Sequence, residues 1–424
     1  MTKVKPFKAI VFNQQKIKDI SRVVCPPYDV ISPAKQEYFQ QLDPHNFIQI
    51  LLPQDANDNK YERAGKLFND WQKKGILTQD ELPAIYFYSQ DYNLKGEKKT
   101  RYGFLALLRL QDNQCRVYTH EHTRGAAKED RMNLLKQVKA NLSPIFVVFE
   151  DKNRLINRIR EKYLPKHKPF IDLVDAEKTA HKLWRISDSE ILKAFSEKMS
   201  GENIFIADGH HRYEVACNYR ADALPQAVKP ENEESANYLL SYFTNLDPRG
   251  LTIMAIHRLV WLPAELDQED FRKKVEPNFD VEEVKDKNKF FFLLAKAGSQ
   301  EHIIGAYQHK KFWLLRLKNV KILDKLISDK PAEFRLLDVS ILNYLILKNA
   351  LGLDLEDKEA IKFNNNEEEL LAEVDRDNRK TAFFLNPVKI QQIMKIALAG
   401  EKMPAKSTFF YPKVLSGLAI NKLE

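Results

Sequence analysis

Cysteine is scarce in this sequence, and its placement argues against two kinds of site. The chain of 424 residues has three cysteines, Cys25, Cys115 and Cys217, which are far apart and odd in number. Because no Cys-x-x-Cys occurs, a disulfide framework and a zinc site built from thiolates are both disfavoured. We expect all three to be small buried thiols, with Cys25 set apart by the motif in which it lies.

Long apolar runs are also missing. No stretch approaches the roughly 20 residues that a membrane-spanning helix needs, and the start of the chain lacks the apolar core of a signal peptide. Hydrophobic residues make up 44% and charged residues 30% of the chain, which is the usual balance of a soluble globular protein. We therefore predict a cytoplasmic protein of two or three domains that does not associate with a membrane.

The charge distribution gives little support for nucleic-acid binding. The net charge of +8 is mild for this length, and the lysines are scattered instead of alternating with aromatic residues along one stripe. No helix-turn-helix pair with a basic recognition helix is evident. We expect a small-molecule substrate as the partner, no nucleic acid and no membrane, and the sequence leaves a homodimer open.

The stretch Ile204–Tyr213 contains the strongest functional signal. Three β-prone residues run into Asp208 and Gly209, and the following run up to Ala223 has helical character. Asp is a good residue for the start of a helix because its carboxylate accepts the free N–H groups of the first turn. A helix N-terminus attracts anions, and further donors follow at His210, His211 and Arg212. This pattern predicts a phosphate or carboxylate site.

Two other segments carry candidate site residues. In Cys25–Ile31 the rigid Pro-Pro pair is suited to hold Asp29 in a fixed direction, although a purely structural turn remains the alternative. Near His120 and His122, Glu121 is a candidate Mg²⁺ ligand or general base; the two histidines lack a third metal ligand at a telling spacing. Further along, Lys128 and Arg131 are suited to contact phosphate or pair with acids, and the sequence alone favours solvated side chains for both.

The C-terminal motif resembles phosphate-binding chemistry without being a P-loop. Lys406, Ser407, Thr408 and Lys413 surround an aromatic strand, but the glycine-rich loop is missing. Two lysines and two hydroxyls can still bind a phosphate or a carboxylate. The alternative is a C-terminal strand of the core.

These blocks together resemble a bacterial and archaeal family known mainly as a domain of unknown function. The matching segments are Cys25–Ile31, His120-Glu121 with Lys128–Arg131, Asp208–Arg212, and Met403–Lys413. More distantly, Asp208–Arg212 is similar to the phosphate-binding turn of the ParB/sulfiredoxin superfamily, which includes partition-protein nucleotide switches, sulfiredoxins and free-serine kinases. Sulfiredoxins carry a cysteine in this turn, where this chain has His210-His211, so that activity is disfavoured.

The resemblance implies an α+β fold with mixed sheets and surrounding helices. It places a ParB/sulfiredoxin-like nucleotide-binding lobe at residues 1–256 and a C-terminal α+β lobe at 257–424, whose final strand motif contributes to the site. Ser32-Pro33 predicts an N-cap followed by proline at the first position of a helix that runs to about Leu42. We also predict a hairpin from the strands Ala84–Ser89 and Arg101–Leu110, strands at Phe47–Leu52 and Phe290–Ala295, and a loop at Gly125–Glu129.

The function implied by the resemblance is a nucleotide-dependent phosphotransferase, similar to a serine kinase, that acts on a small hydroxylated metabolite. The cofactors would be ATP or ADP and Mg²⁺, with Asp208 or Glu121 as the metal ligand. The same two residues with Asp29, His210 and His211 form the catalytic set. Phosphate contacts would come from Gly209, Arg212, Lys128, Arg131, Lys406, Ser407, Thr408 and Lys413. The alternatives are a ParB-type nucleotide switch and a nucleotide or phosphate hydrolase, and the residues alone indicate only an anion site.

Overall fold

The computed structural model describes residues 2–54, 59–110, 116–123, 125–223, 235–262, 266–297, 301–355, 357 and 359–423. Two compact units divide the chain. The first unit comprises Met1–Thr119, Thr123–Thr252 and Pro412–Glu424, and the second comprises His120–His122 and Ile253–Tyr411. Cys115, for which we expect a buried thiol, lies outside the described residues.

The helices and strands alternate irregularly along the chain, which confirms the predicted α+β class. The strands are β1 Val4–Lys5, β2 Ile10–Phe12, β3 Leu77–Gln79, β4 Ile85–Leu94, β5 Glu97–Arg109, β6 Val117–Tyr118, β7 Ala140–Asn141, β8 Ile145–Phe149, β9 Ile171–Val174, β10 Ala180–Ile186, β11 Ile204–Asp208, β12 Tyr238–Asn245, β13 Thr252–Met254, β14 His257–Trp261, β15 Phe279–Val284, β16 Ile303–Gln308, β17 Lys311–Leu317, β18 Ile361–Asn364, β19 Lys380–Phe384, β20 Phe409–Tyr411 and β21 Asn421–Lys422. The α-helices are α1 Pro33–Leu42, α2 Ile48–Leu51, α3 Lys60–Lys73, α4 Gly125–Val138, α5 Leu155–Lys162, α6 Ser189–Met199, α7 His210–Ala223, α8 Gln268–Val275, α9 Lys287–Ala297, α10 Ile322–Leu326, α11 Ala332–Arg335, α12 Asp338–Ser340, α13 Glu367–Asp375 and α14 Ile390–Leu398. A π-helical segment, Ile341–Ala350, continues α12.

In the first unit, the described strands form a mixed nine-stranded sheet in the order β6-β11-β8-β12-β5-β4-β10-β9, with β1 paired to β5. The pairs β6–β11 and β8–β12 are parallel, and β11–β8 is antiparallel. Every residue of β8 and the first four of β11 are buried. These two strands therefore lie inside the unit and bring the start of α7 to a fixed position at the end of β11.

In the second unit, the described strands form a six-stranded antiparallel sheet in the order β15-β17-β16-β19-β14-β18. Helices α9 and α13 pack against it through Phe290, Leu294, Leu370 and Val374. Since both layers present apolar side chains to each other, this unit has a hydrophobic core of its own.

Several local predictions are confirmed, and each has a clear physical cause. Pro33 is the first residue of α1, and the Ser32 hydroxyl accepts the N–H of Lys35, as expected for an N-cap followed by proline. The predicted hairpin is present, but its strands extend as far as Leu94 and Glu97. The two turn residues, Lys95 and Gly96, have φ values of 48° and 88°, which suits a two-residue hairpin turn.

Three local predictions are wrong, and capping side chains explain two of them. Phe47–Leu52 contains helix α2 and not a strand; the Asn46 side chain accepts the N–H of Ile48 and favours helical backbone there. Phe290–Ala295 belongs to helix α9, where the Asp286 carboxylate accepts the N–H of Lys289. Within α9 the buried Phe290 and Leu294 are four residues apart, whereas Phe292 is 62% exposed, which is a helical period.

The third wrong prediction is the loop at Gly125–Glu129, because α4 begins at Gly125. The segment contains Gly125, Ala126 and Ala127, and only Ala strongly favours a helix. The packing of α4 against α3 and α7 stabilises this first turn beyond what its propensity provides.

Candidate functional site

The junction of β11 and α7 is built around a glycine that no other residue can replace without strain. The strand ends at Asp208, Gly209 has φ +89°, and the helix begins at His210. A Cβ at Gly209 would lie 2.9 Å from Ile145 Cγ2 and 3.0 Å from the guanidinium carbon of Arg212. Gly209 therefore permits both the left-handed turn and the return of Arg212 over it, and the predicted strand, turn and helix are confirmed.

The Asp208 carboxylate has two cationic partners. Its Oδ1 accepts from Lys413 Nζ at 2.5 Å, and its Oδ2 accepts from Arg212 Nη2 at 2.8 Å. The three side chains are only 11–15% exposed. Burial alone would raise the pKa of Asp208, but Lys413 and Arg212 outweigh that effect and hold the pKa well below its usual range.

Lys413 is fixed by two residues of the β4–β5 hairpin. Arg101 donates to the Pro412 carbonyl at 2.5 Å, and Gln90 Nε2 donates to the Lys413 carbonyl at 2.9 Å. Arg101 is itself buried and stacks over the Phe146 ring at 4.5 Å. Arg101 and Gln90 were not predicted as supports of the site. A charged residue inside the apolar strand Arg101–Leu110 was the available signal.

Arg212 retains a donor beyond its partners. One terminal nitrogen binds Asp208, and the other donates to the Pro144 carbonyl. Its Nε is buried and has no hydrogen-bond partner among the residues described. A buried polar group without a partner is costly, so the Arg212 Nε–H is a donor that the described contacts leave unsatisfied.

Arg131 is the residue for which the sequence-based interpretation is wrong. We expected it to be solvated, but it is only 7% exposed. Its Nε donates to Asp130 at 2.8 Å, its Nη1 donates to the Leu51 carbonyl at 2.9 Å, and its guanidinium lies 4.3 Å from the Tyr28 ring centre. Arg131 therefore joins α4 to the Cys25–Ile31 segment.

Tyr28 shows that the Cys25–Ile31 segment lies close to Arg131 and Arg212. Burial, followed by the charge of Asp29, raises the pKa of Tyr28 to about 12, while Arg212 and Arg131 act in the opposite direction. Asp29, the next residue, is exposed. The predicted candidates Asp29, Arg131 and Arg212 are thus placed around Tyr28 in one unit.

Other predicted residues of the first unit have partners of their own. Lys128 Nζ lies 3.2 Å from a Glu214 oxygen, which also accepts from the Thr123 hydroxyl at 2.6 Å. His210 is buried and His211 is half-buried at the first turn of α7. The charge of Lys128 is therefore balanced by Glu214. At Asp208, in contrast, one carboxylate is shared by two cations.

The remaining candidates, Glu121 and the Lys406–Thr408 residues, belong to the second unit. Glu121 forms a parallel bridge with Met403, and His120 Nε2 lies 3.4 Å from the Thr408 hydroxyl. Lys406 has φ +56°, and Ser407 is buried with its hydroxyl donating to Pro404.

Arg258 supports this loop from inside the second unit. It donates to the Ala405 carbonyl at 3.3 Å and to the Ile256 carbonyl, and it lies 4.8 Å from the Phe363 ring centre. Burial lowers its pKa to about 9. These contacts position the backbone of the Lys406–Thr408 segment.

The surroundings of Asp208 do not fit a Mg²⁺ ion. Both of its oxygens already accept from cations, and a divalent ion needs several oxygen ligands. No group of three His, Cys, Asp or Glu side chains is suited to hold a metal in the part of the chain that the structure describes. The geometry favours Asp208 as the residue that positions Arg212 and Lys413.

The cluster of Arg212, Lys413 and Asp208 carries one net positive charge at the N-terminus of a 14-residue helix. Helix N–H groups and an excess guanidinium or ammonium charge both attract anions. Because the side chains are largely buried, water screens this attraction less than at the surface. The arrangement is therefore suited to bind a small anion.

Comparison with known proteins gives distant structural likenesses. A mutant of free serine kinase in complex with ADP shares 9% identity with this chain and has a TM-score of 0.35; the match covers 73% of this chain and 89% of that one. SbnI with a C-terminal truncation, from Staphylococcus aureus, shares 11% identity with a TM-score of 0.37, covering 74% and 85%. Such TM-scores are too low to support an argument.

No curated protein matches this chain, and no helix in its described ranges is long and apolar enough to cross a membrane. The family model described as "Protein of unknown function (DUF1015)" matches residues 4–340. That match covers more than half of the chain and includes Asp208–Arg212. The chain therefore belongs to the DUF1015 family.

Proposed function

We propose that this protein binds a nucleotide through its phosphates at the Asp208–Arg212 turn and transfers a phosphoryl group to a small hydroxylated metabolite. The observation that carries the proposal is the sharing of one carboxylate by two buried cations. Arg212 and Lys413 both bind Asp208, so their combined charge is only half neutralised. A phosphate is a natural partner for the remaining charge.

The chemistry of each group supports a phosphate in preference to a neutral ligand. Arg212 has a planar fork of donors that matches the spacing of phosphate oxygens, and Lys413 supplies a point charge. The first N–H groups of α7 point out of the helix at the same turn. Asp208 keeps the two cations in place, since each charge is bound within 2.8 Å of its oxygens.

Phosphoryl transfer depends mainly on positioning and charge neutralisation, which this cluster is built to provide. The bond between the terminal phosphorus and its bridging oxygen breaks, and a new bond forms to the hydroxyl oxygen of the acceptor. The hydroxyl proton needs an acceptor, and we propose the exposed carboxylate of Asp29. The predicted roles of His210 and His211 as donors to the phosphates belong to the same proposal.

In this proposal Mg²⁺ binds together with the nucleotide, as a complex with its phosphates. Mg²⁺ commonly binds through substrate phosphates and few protein ligands, and the pairing of Asp208 described above leaves no room for it there. When bound, the ion would neutralise phosphate charge. The roles assigned to Arg212 and Lys413 do not depend on it.

Calorimetric binding of ATP, ADP and CTP, each with and without Mg²⁺, tests the phosphate site. We expect Arg212→Ala to weaken nucleotide binding by roughly 10- to 100-fold, because a hydrogen bond to a charged group contributes about 1.5–3 kcal/mol. Arg249→Ala is the matched control: Arg249 belongs to the same unit, pairs with Asp247 at 2.7 Å and is 77% exposed. Absence of binding by all three nucleotides would overturn the proposal.

Phosphorus NMR of the reaction mixture tests the transfer. With nucleotide, Mg²⁺ and L-serine as the first acceptor, we expect a new phosphate-ester signal that is lost in Arg212→Ala. Inorganic phosphate formed at the same rate with and without acceptors would instead favour a hydrolase. Nucleotide binding without turnover would favour the switch, which a DNA-binding assay would then examine.

A further inference from the structure

The second unit contains a cavity that the proposed function does not use. Its volume is about 150 Å³, the size of cavity that holds a molecule of about six non-hydrogen atoms. Its apolar lining includes Leu337, Leu385 and Pro387. Its polar lining comprises Glu301, His302, Asp338, Asn386, Lys389, Gln392 and Ser407. A cavity with one apolar wall and a few convergent polar groups is typical of a small-molecule site.

The tautomer of a neutral His302 ring is set by its partner in this cavity. Its Nδ1 lies 2.9 Å from Asp338 Oδ1, and the two side chains are 27% and 18% exposed. A carboxylate only accepts hydrogen bonds, so the proton of the neutral imidazole must lie on Nδ1. Nε2 then carries a lone pair and accepts a hydrogen bond.

Ser407 and Asn386 add further acceptors to the cavity, and Lys389 and Gln392 in its lining carry donors. The Ser407 hydroxyl donates to the Pro404 carbonyl, which leaves its lone pairs to accept. Asn386 Nδ2 donates to the Leu294 carbonyl at 3.1 Å, and the side-chain carbonyl oxygen can accept from a ligand. A ligand that satisfies the acceptors His302, Ser407 and Asn386 must donate hydrogen bonds, while a short carbon chain contacts Leu337, Leu385 and Pro387.

We propose that this cavity binds a small hydroxyl-bearing molecule whose O–H donates to His302 Nε2. The lining of this site lies wholly within the second unit, whereas the nucleotide site proposed for Asp208–Arg212 lies within the first. It holds a ligand of a few carbon atoms, of the size of a three- or four-carbon hydroxy or amino acid. Asp338 is a positioning residue because it fixes which ring nitrogen accepts.

Matched pairs of probes that differ by one hydroxyl test the ligand class. Calorimetry would compare L-lactate with propionate, L-serine with L-alanine, and L-threonine with L-valine. We expect at least one hydroxyl-bearing probe to bind, and its partner without the hydroxyl to bind at least tenfold more weakly. An equally strong partner, or no binding by any of the six, would overturn the proposal.

Two histidine variants locate the site. His302→Asn should weaken binding of the active probe at least tenfold, whereas His309→Asn should leave it unchanged. His309 is in the same unit, on the β16–β17 turn, with φ +47°, which Asn tolerates. Equal effects of the two variants would contradict the assignment.

Two further variants provide a substitute for His302→Asn and a control for the nucleotide site. If His302→Asn does not fold, Asp338→Asn serves in its place. Its amide can donate to Nδ1 and let the ring proton move to Nε2, so binding of the active probe should weaken. Binding must also persist in Arg212→Ala, so failure of the nucleotide proposal and failure of this one are distinguishable.

Discussion

The substitution Asp208→Asn tests whether Asp208 holds the cationic cluster together. The change keeps the size of the side chain but leaves Arg212 and Lys413, each 11% exposed, without a counter-charge. Removing one partner of a buried ion pair commonly costs about 3–5 kcal/mol. We expect a loss of that size in the free energy of unfolding, measured by urea denaturation at neutral pH.

The control is an ion pair of equal length at the surface. Asp70 on α3 and Lys74, the residue after the helix end, lie 2.8 Å apart with side chains 44% and 66% exposed. Asp70→Asn should cost less than about 0.5 kcal/mol, because exposed helix pairs contribute little. If the two variants lose the same stability, burial does not determine the strength of the Asp208 pair and our reasoning is refuted.

The pH dependence of this difference follows from the depressed pKa of Asp208. The unfolded chain has an Asp pKa of about 3.9, and the folded pKa is lower, so the carboxylate stabilises the folded state above that unfolded value. The stability difference between wild type and Asp208→Asn should therefore be constant from about pH 5 to pH 8 and shrink as the pH falls below about 4. A difference that instead grows with acidification would contradict the ion-pair assignment.

Three further predictions concern single positions. Gly209→Ala should destabilise the protein more than Gly96→Ala, because the φ values are similar, +89° and +88°, but a new methyl group meets Arg212 and Ile145 only at Gly209. In thermal unfolding the Gly96→Ala control should therefore show only the backbone cost of about 1–2 kcal/mol. Equal losses of stability in the two variants would contradict this. Burial raises the pKa of Cys25 well above its usual range, so mass spectrometry after iodoacetamide treatment of the folded protein should find this thiol unmodified until urea is added. Arg258→Lys should lower the free energy of unfolding by about 1–3 kcal/mol in chemical denaturation, because an ammonium group cannot keep the two carbonyl contacts and the ring contact together. An unchanged denaturation midpoint would argue against the role of Arg258 in holding the Ala405 and Ile256 backbone.

Local sequence signals predicted a large part of the fold. The Ser32-Pro33 start of α1, the β4–β5 hairpin and the strand–turn–helix at Gly209 all follow from capping and turn chemistry within a few residues. Such features depend on neighbours along the chain. The wrong strand at Phe290–Ala295 shows the limit of this approach, since several aromatic residues in a row fit a buried strand as well as a helix with one buried face.

The site residues also fall into two groups, those that local sequence signals identified and those that only the fold brings together. Asp208 and Arg212 are four residues apart on one turn, and the sequence alone identified them as part of an anion site. Lys413 was named as a phosphate contact, but its bond to Asp208 spans 205 residues and no local pattern reveals it. Arg101 and Gln90, which fix the Lys413 backbone, were missed for the same reason.

The sequence by itself determined the strand, the glycine turn and the helix that present Asp208 and Arg212, because these depend on backbone preferences that act over a few residues. Only the tertiary structure decided which charges are balanced. It buried Arg131 against Tyr28, paired Lys128 with Glu214, and brought Lys413 to Asp208. The physical reason is that the energy of a charge depends on its burial and on its nearest partners, and both are set by packing between segments that are remote in the chain.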